Sequence, residues 1–459
     1  MPEKSPNVRI ITLGCAKNEV DSEEIAGVLS AGGYAVDGSK VPDVTIINTC
    51  GFLESAKAES IEAIKKAVRS KGKGKVIVAG CLAQRLGEEM RVLAPGADAY
   101  IGVGQMARFG EIVQETLTSG RQMLEVEPPH HRWADVQTRA RTGHPWSAYL
   151  KISEGCDHQC TFCTIPSFRG KHQSKPIERI VQEANHLART GTREINLIAQ
   201  DVTQYGYDLY KEFTLPKLLK ELNGVEGIDW VRMLYFYPNR LTDEVIEAMA
   251  TLPKVVEYID IPLQHTHPDV LRRMKRPWDG ARYLKLIEKV RAAMPDCAIR
   301  TTFIVGFPGE TDAEFMDLLD FVREARLDRV GAFLFSKEPG TPSFDLPDQV
   351  ATKVKKERYE RLMRLQMMVS REVNKSWVGR PLKVLIEENR DGWSAGRSHR
   401  DAPEIDGLVF VEGEHPRGEF VEATITQATD YDLYAGSAVG QKGRKPLSPL
   451  RMAGPKAPQ

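Results

Sequence analysis

The chain carries no excess of charge of either sign: 63 Lys and Arg balance 63 Asp and Glu over 459 residues. A global basic field, of the kind that draws a protein onto nucleic acid without specificity, is therefore excluded, and charge has to be read stretch by stretch. Long apolar runs are also missing. None approaches the roughly 18 residues a membrane-crossing helix needs, and Met1 to Val8 is short and polar rather than charged and then apolar. No membrane is expected, and the protein is expected in the cytoplasm. Cysteine is scarce, with seven residues, an odd number that does not resemble a secreted disulfide framework. Thiols that stay reduced and still cluster are best read as ligands. The length allows two or three domains with sizeable cores.

Three of the seven cysteines, Cys156, Cys160 and Cys163, fall within eight residues. The β-rich run Tyr149 to Ile152 leads into them, and Pro166 and Gly170 break the chain beyond, so they sit on a loop after a strand. Thiolates are the soft ligands that iron-sulfur clusters and zinc select. Zinc normally takes four protein ligands, and His158 is available as a fourth. The Cys-x-x-x-Cys-x-x-Cys spacing instead suits a four-iron four-sulfur cluster with one iron left open. With the aromatic Phe162 just before the last cysteine, the loop resembles that of the radical S-adenosylmethionine enzymes. The resemblance implies that the open iron is chelated by S-adenosylmethionine, which one electron then cleaves to a radical.

The N-terminal segment reads as strand-helix repeats. Val8 to Leu13 is followed by Gly14-Cys15 and a helical pattern through Ser22, Glu23, Ile25 and Leu29; Val44 to Asn48 by Thr49-Cys50-Gly51 and a helix from about Ser55 to Val68; Lys75 to Ala79 by Gly80-Cys81 and a helix through Gln84, Leu86 and Met90. In an open α/β sheet the loops at the carboxyl ends of the strands lie along one edge, where ligands bind. Cys15, Cys50 and Cys81 occupy equivalent points in three consecutive units, which favours a second three-cysteine cluster over the alternative of small residues that suit strand ends. Residues 119–143, with Pro128-Pro129, His130-His131 and an Arg-rich run including Arg139 and Arg141, read as a linker or crossing segment. The two histidines are read as solvated linker residues rather than ligands.

Five more strands are expected in the central segment: Glu194 to Ala199, Trp230 to Tyr235, Val256 to Ile261, Ile299 to Val305 and Val330 to Phe335, separated by helical patterns. Six strand-helix units argue for a parallel, partly closed barrel whose active site lies at the carboxyl ends of the strands. Gln200-Asp201, Pro262-Leu263-Gln264-His265 and Gly306 to Gly309 fall at those ends. There they offer polar groups and close backbone approach to a nucleoside cofactor; the alternatives are a hydrogen-bonded turn histidine and a plain turn into the next helix. Ala351 to Trp377 reads as a connecting helix, with Lys353, Lys355, Lys356 and Arg358 on its first turns, and Cys297 as structural. From Gly379 short strands with turn signals indicate a small five-stranded barrel, and Gly443 to Gln459 reads as a mobile tail. Between Lys375 and Gln441 there are 7 Lys or Arg and 12 Asp or Glu, a net of −5 (7−12). Such a surface repels phosphate and suits a basic protein partner, unless its acids serve only solubility.

The fold class expected is thus α/β and multidomain: an open α/β N-terminal domain at 8–118, a linker at 119–143, a partial (β/α)6 TIM-like core with its connecting helix at 144–375, a small five-stranded β-barrel at 376–441 and a flexible tail at 442–459. Taken together these features resemble the methylthiotransferase family over about Val8 to Gly440. Within it the chain is similar to the branch that modifies an aspartate of small-subunit ribosomal protein twelve. The stretches that carry this are Ile152-Ser153-Glu154-Gly155-Cys156, Thr164-Ile165-Pro166-Ser167, Ala199-Gln200-Asp201, Pro262-Leu263-Gln264-His265 and Ala402-Pro403-Glu404-Ile405-Asp406-Gly407. The tRNA-modifying branch, the alternative, typically has a Val-Pro-Tyr-type sequence after the cluster loop and a barrel suited to RNA.

The resemblance implies two 4Fe-4S clusters, an auxiliary one on Cys15, Cys50 and Cys81 and a radical one on Cys156, Cys160 and Cys163. It implies a C-terminal TRAM barrel, and S-adenosyl-L-methionine serving once as methyl donor and once as radical source. Candidate contacts to that cofactor are Phe162, Gln200, Asp201, Gln264, His265 and Gly306. The partners implied are the basic ribosomal protein, met through the acidic barrel, a low-potential electron donor such as a flavodoxin or ferredoxin, and an unnamed sulfur donor. A monomer is expected.

Overall fold

A computed structural model describes residues 5–36, 41–131, 133 and 139–436. The tail expected beyond 442 lies outside the described residues. The chain divides into two compact units, one of Met1–Leu218, Val225–Gly227 and Glu338–Phe344, the other of Leu219–Gly224, Ile228–Lys337 and Asp345–Gln459.

In the first unit, the β-branched runs form β1 (Asn7–Thr12), β2 (Ala35–Val36), β3 (Val44–Thr49), β4 (Lys75–Gly80), β5 (Ala99–Ile101) and β6 (Met123–Glu125), a parallel sheet in the order β2-β1-β3-β4-β5-β6. Helices α1 (Ala16–Ala31), α2 (Glu54–Ser70), α3 (Cys81–Leu86), α4 (Met90–Leu93) and α5 (Phe109–Thr118) complete it. One apolar core gathers Ile25, Leu29, Ile46, Phe109 and Ile112, and a second gathers Ile47, Ile64, Val78, Leu82 and Met90. Alternate residues of β3 thus feed opposite cores, as a period of two requires for a sheet covered on both faces. Strand β6 falls inside the stretch expected as a linker. Three residues are too few to show alternation, so only the pairing with β5 reveals it.

The same unit holds β7 (Ser147–Lys151) and β10 (Glu194–Ile198), which pair in parallel, and the short antiparallel pair β8 (Ser153–Glu154) and β9 (Gln173–Ser174). It also contains α6 (Ile165–Arg169) and α7 (Ile177–Arg189). Helix α8 (Tyr207–Tyr210) follows, then α9 (Leu215–Asn223), whose last turn belongs to the second unit.

The second unit carries β11 (Trp230–Met233), β12 (Tyr258–Asp260), β13 (Ala298–Val305) and β14 (Arg329–Leu334). The last three pair in parallel. Helices α10 (Asp243–Thr251), α11 (Pro268–Arg273), α12 (Gly280–Ala293) and α13 (Asp312–Ala325) alternate with them, and α14 (Thr352–Lys375) leads on. Helix α13 starts at Asp312 because Thr311 and Glu314 close a reciprocal capping box.

Strands β15 (Pro381–Arg390), β16 (Trp393–Arg397), β17 (Val409–Glu412), β18 (Phe420–Ala428) and β19 (Leu433–Gly436) close a barrel around Leu382, Val384, Ile386, Val409 and Ile425. Its Ser398 to Asp406 loop is an anchor onto the strands of this unit. Arg232 donates to the Ser398 and His399 carbonyls, Arg329 to Asp401, Arg400 to Asp328, and the Tyr258 hydroxyl to Asp406.

Candidate active site

Strands β1, β3 and β4 are neighbours, and their ends are level: Thr12 pairs with Asn48, and Thr49 with Gly80. Cys15 and Cys50 follow the first two, and Cys81 is the first residue of α3 after the third. With strands about 4.8 Å apart, the outer two ends lie roughly 10 Å from each other, within converging reach of side chains. Close approach is built into the turn. Gly14 has φ +100°, and a Cβ on it would sit 2.7 Å from Cys50 Cβ and 3.1 Å from Cys50 Sγ.

One side chain staples the three loops. Asn18, fully buried on α1, donates from Nδ2 to the Leu13 carbonyl at 2.7 Å and the Thr49 carbonyl at 3.0 Å, while its Oδ1 lies 3.7 Å from Cys81 Sγ. The Arg169 guanidinium, at the end of α6, converges on the same point. Its Nε and Nη2 lie 3.2 and 3.1 Å from Cys81 Sγ, Nη2 also reaches Asn18 Oδ1 and Asp21 Oδ2, and Nη1 reaches Glu154 Oε1 at 3.1 Å.

Around this point a buried ion network joins α1 to the strands β7 and β8. Lys17 bonds to Glu154 and to the Ser153 carbonyl, Lys151 to Asp21 and Glu24, Lys175 to Glu183, and Arg139 to both Glu23 and Glu183. Burial by itself would raise the Glu154 carboxyl, but Lys17, Arg169, His131 and Lys151 hold it well below the usual range. Burial pushes the Cys81 thiol up to about 12, with Arg169 pulling the other way. His131, expected as a solvated linker residue, is half-buried with Nε2 2.9 Å from the Arg169 carbonyl. Its place is set by α6, a contact 38 residues away that local composition does not reveal.

The loop of Cys156, Cys160 and Cys163 is held from several sides. Gly155, at φ +74°, would put a Cβ 2.0 Å from the Lys171 carbonyl oxygen, and the Cys156 amide donates to the Gly170 carbonyl at 3.0 Å. His158 Nε2 meets Asp201 Oδ2 at 2.7 Å, Gln204 donates to Asp157 at 2.6 Å, and the Ser343 amide donates to the Thr161 carbonyl at 2.9 Å. Segment Glu338–Phe344 thus returns to this unit, where buried Glu338 also accepts from the Glu54 amide and from Arg85. All seven cysteines are free thiols. Burial pushes Cys156 up to about 12, and it also raises Cys297, which lies buried at the start of β13.

The other expected contacts divide between the units. Phe162 is half-buried in the loop itself. Gln200 donates weakly to Glu154 at 3.4 Å, and its buried Oε1 has no protein partner among the described residues. Asp201 is occupied in holding the loop, one oxygen facing His158 and the other capping the Thr203 amide. Gln264, His265 and Gly306 lie in the second unit. Gln264, at φ +72°, is bonded through its backbone to Thr302 and Ile304. His265 is fully buried, which lowers its pKa to about 3, and its Nε2 lies 3.7 Å from Glu310. The Gly306 amide donates to Glu310 at 2.8 Å, and a Cβ on Gly306 would strike the Lys355 side chain, so this glycine serves contact with α14. Burial raises the Glu310 carboxyl to about 7 in spite of Arg358 at 2.8 Å.

Residue-type reasoning missed Asn18, Arg169, Glu154 and Glu310. A polar residue three positions after Cys15 was the one local signal for Asn18; the others act through contacts distant in sequence.

Comparison with known proteins places these features. The model of Uncharacterized protein family UPF0004 matches residues 7–102, that of the Radical SAM superfamily 150–322, and that of the TRAM domain 378–438. A Moorella thermoacetica protein named ribosomal protein uS12 methylthiotransferase RimO is 47% identical over 429 residues, covering 93% of this chain and 98% of its own length. A Synechocystis protein of the same name is 44% identical, covering 95% of this chain and 98% of its own length. Among solved structures, the radical S-adenosylmethionine methyltransferase TsrM from Kitasatospora setae shares the fold at 14% identity. Its TM-score is 0.55, and the match covers 85% of this chain and 80% of that one.

Proposed function

The chain belongs to the family of ribosomal protein uS12 methylthiotransferases, and from that premise we propose how its residues carry the reaction. The activity is methylthiolation of the β-carbon of an aspartate in small-subunit ribosomal protein uS12. The observation that supports the assignment of residues is that both cysteine trios belong to one compact unit, in which Arg169 reaches from Cys81 Sγ to Glu154, two residues before Cys156. The donor sets fit iron-sulfur clusters, with three thiols each, a glycine turn that lets the auxiliary trio close up, and a guanidinium aimed at one sulfur.

On this reading Cys15, Cys50 and Cys81 hold the auxiliary cluster, and Cys156, Cys160 and Cys163 the radical cluster. When bound, the clusters and S-adenosylmethionine supply the methylthio group and the one-electron chemistry that no side chain near neutral pH can direct at so weak a carbon acid. The protein contributes order and shelter. Asn18 keeps the three auxiliary loops in register, Asp201 and Gln204 fix the radical loop through His158 and Asp157, and Glu338–Phe344 covers its flank. Burial raises the Cys50, Cys81 and Cys156 thiols, so ligation there would have to release protons, and Arg169 favours that release at Cys81. Gln200, with an unclaimed buried acceptor, is assigned to S-adenosylmethionine.

The barrel supports a protein substrate. Glu388, Asp391, Glu412, Glu414, Glu419 and Glu422 are exposed on it, against Arg390 and Arg417, which suits a basic partner and opposes RNA. Mass spectrometry of uS12 and of tRNA nucleosides from a deletion strain tests the proposal. Loss of the methylthio group from uS12 with tRNA unchanged is expected; the reverse pattern would refute it.

A further inference from the structure

We propose that Arg169 is a positioning residue that ties the sulfur of Cys81 to the loop bearing Cys156 and sets the reduction potential of the cluster on Cys15, Cys50 and Cys81. This rests on the reading that those three thiols hold a cluster.

The geometry singles Arg169 out from the other buried cations. Its side chain is 3% exposed, and it alone in the network touches a cysteine sulfur, with two different nitrogens at 3.2 and 3.1 Å. The same Nη2 also reaches Asp21 at 2.9 Å on α1, and Nη1 reaches Glu154 at 3.1 Å on β8, so two carboxylates clamp the guanidinium. Glu154 is fixed in turn by Lys17, which also grips the Ser153 carbonyl. Neither the plane nor the reach of the fork is free to change. A second tie runs through the backbone, since the residue after Arg169 accepts the Cys156 amide at 3.0 Å. Displacement of Cys81 is therefore passed to Cys156 by two short routes.

Hydrogen bonds to ligand sulfur and nearby positive charge both stabilise the more negative, reduced state of a cluster. Arg169 supplies both. Lysine in its place keeps the charge but is a single point donor, unable to meet one sulfur and two carboxylates in fixed directions. A purely structural ion pair with Asp21 and Glu154 would leave the potential unmoved once the chain is folded and loaded.

The test uses the full chain carrying Cys156→Ala, Cys160→Ala and Cys163→Ala, so that only the auxiliary trio can take up iron. Iron and sulfide are counted after anaerobic reconstitution, and the potential is read by redox titration followed by electron paramagnetic resonance. In Arg169→Lys the loaded cluster is expected to reduce about tenfold less favourably at a given potential, about 59 mV lower for one electron. Asp21→Asn with Arg169→Gln removes the cation together with one carboxylate and guards against misfolding from an unpaired Asp21; the same direction is expected. A potential within twofold of the parent equilibrium in either loaded variant would overturn the proposal. A parent that takes up no iron would overturn the cluster assignment itself, and the role of Arg169 with it.

Discussion

Arg139→Met is the sharpest test of what holds the first unit together. Arg139 is 3% exposed in its side chain and donates from Nε and Nη2 to Glu23 at 2.8 and 2.5 Å, from Nη1 to Glu183 at 2.8 Å, and from Nη2 to the Tyr149 carbonyl at 2.8 Å. Removing one partner of a buried ion pair costs about 3–5 kcal/mol. Glu23 keeps Arg141 and Glu183 keeps Lys175, so the low end, about 3 kcal/mol, applies. Hydrogen exchange on the empty chain should show protection of α1 and α7 falling by about two powers of ten at pH 7. Burial opposes ionisation of Glu183, but Lys175 and Arg139 bring its pKa down to about 2. A depressed carboxyl stabilises the fold above its unfolded value, about 4.3, and that contribution is lost as pH falls towards about 2. The variant's deficit should therefore be full at pH 7 and shrink below about pH 4, readable as converging urea midpoints. Unchanged protection at pH 7, or a deficit that grows on acidification, would refute the reasoning.

Four further outcomes follow from the same structure. Gly155→Ala drives a Cβ into the Lys171 carbonyl at a left-handed φ, costing about 3 kcal/mol locally; iron per reconstituted chain should fall by about half as the radical trio is lost. Asn18→Leu leaves the Leu13 and Thr49 carbonyls unpaired at about 1–3 kcal/mol each, and should cost the auxiliary cluster while sparing reductive S-adenosylmethionine cleavage. Arg358→Met strips Glu310 of its cation and should lower stability by about 3 kcal/mol at pH 9, where the carboxyl is ionised in the parent. Because the Glu310 carboxyl is already raised to about 7, its stabilising share is present below its unfolded value and lost as pH rises through 7. The variant, with the carboxyl raised further, should lose more melting temperature at pH 9 than at pH 6.

The parts legible in the sequence are those with a local signature. Val44 to Asn48 and Lys75 to Ala79 predict β3 and β4 to within a residue at each end, because β-branched runs before Cys-Gly or Gly-Cys turns leave little else to form. The placement of Cys15, Cys50 and Cys81 at neighbouring strand ends follows from parallel topology alone. What escaped were partners brought from afar. Helix α1 opens Ala-Lys-Asn-Glu-Val-Asp-Ser-Glu-Glu, a mostly polar stretch, yet Lys17, Asn18, Asp21, Glu23 and Glu24 are all buried. Their counter-charges, Lys151, Arg169 and Arg139, stand more than 100 positions away. Arg139 itself sat in a stretch that composition marks as a linker.

That buried network says what the first unit is organised for. Lys17, Arg139, Arg141, Lys151, Arg169 and Lys175 face Asp21, Glu23, Glu24, Glu154 and Glu183, so the network beside Cys81 is ionic, with a cation against every carboxylate. Apolar residues of the same volume would commonly fold as stably, since desolvation consumes most of what a buried ion pair gains. What they would not supply is direction. A guanidinium clamped by two carboxylates has one orientation, and a sulfur bonded to it by two nitrogens has nearly one position. Apolar packing would tolerate shifts that separate the two trios, whereas the Cys81–Arg169–Glu154 chain runs to within two residues of Cys156 and fixes them in one frame. Chemistry that must meet a single unactivated carbon depends on that placement more than on an added increment of stability.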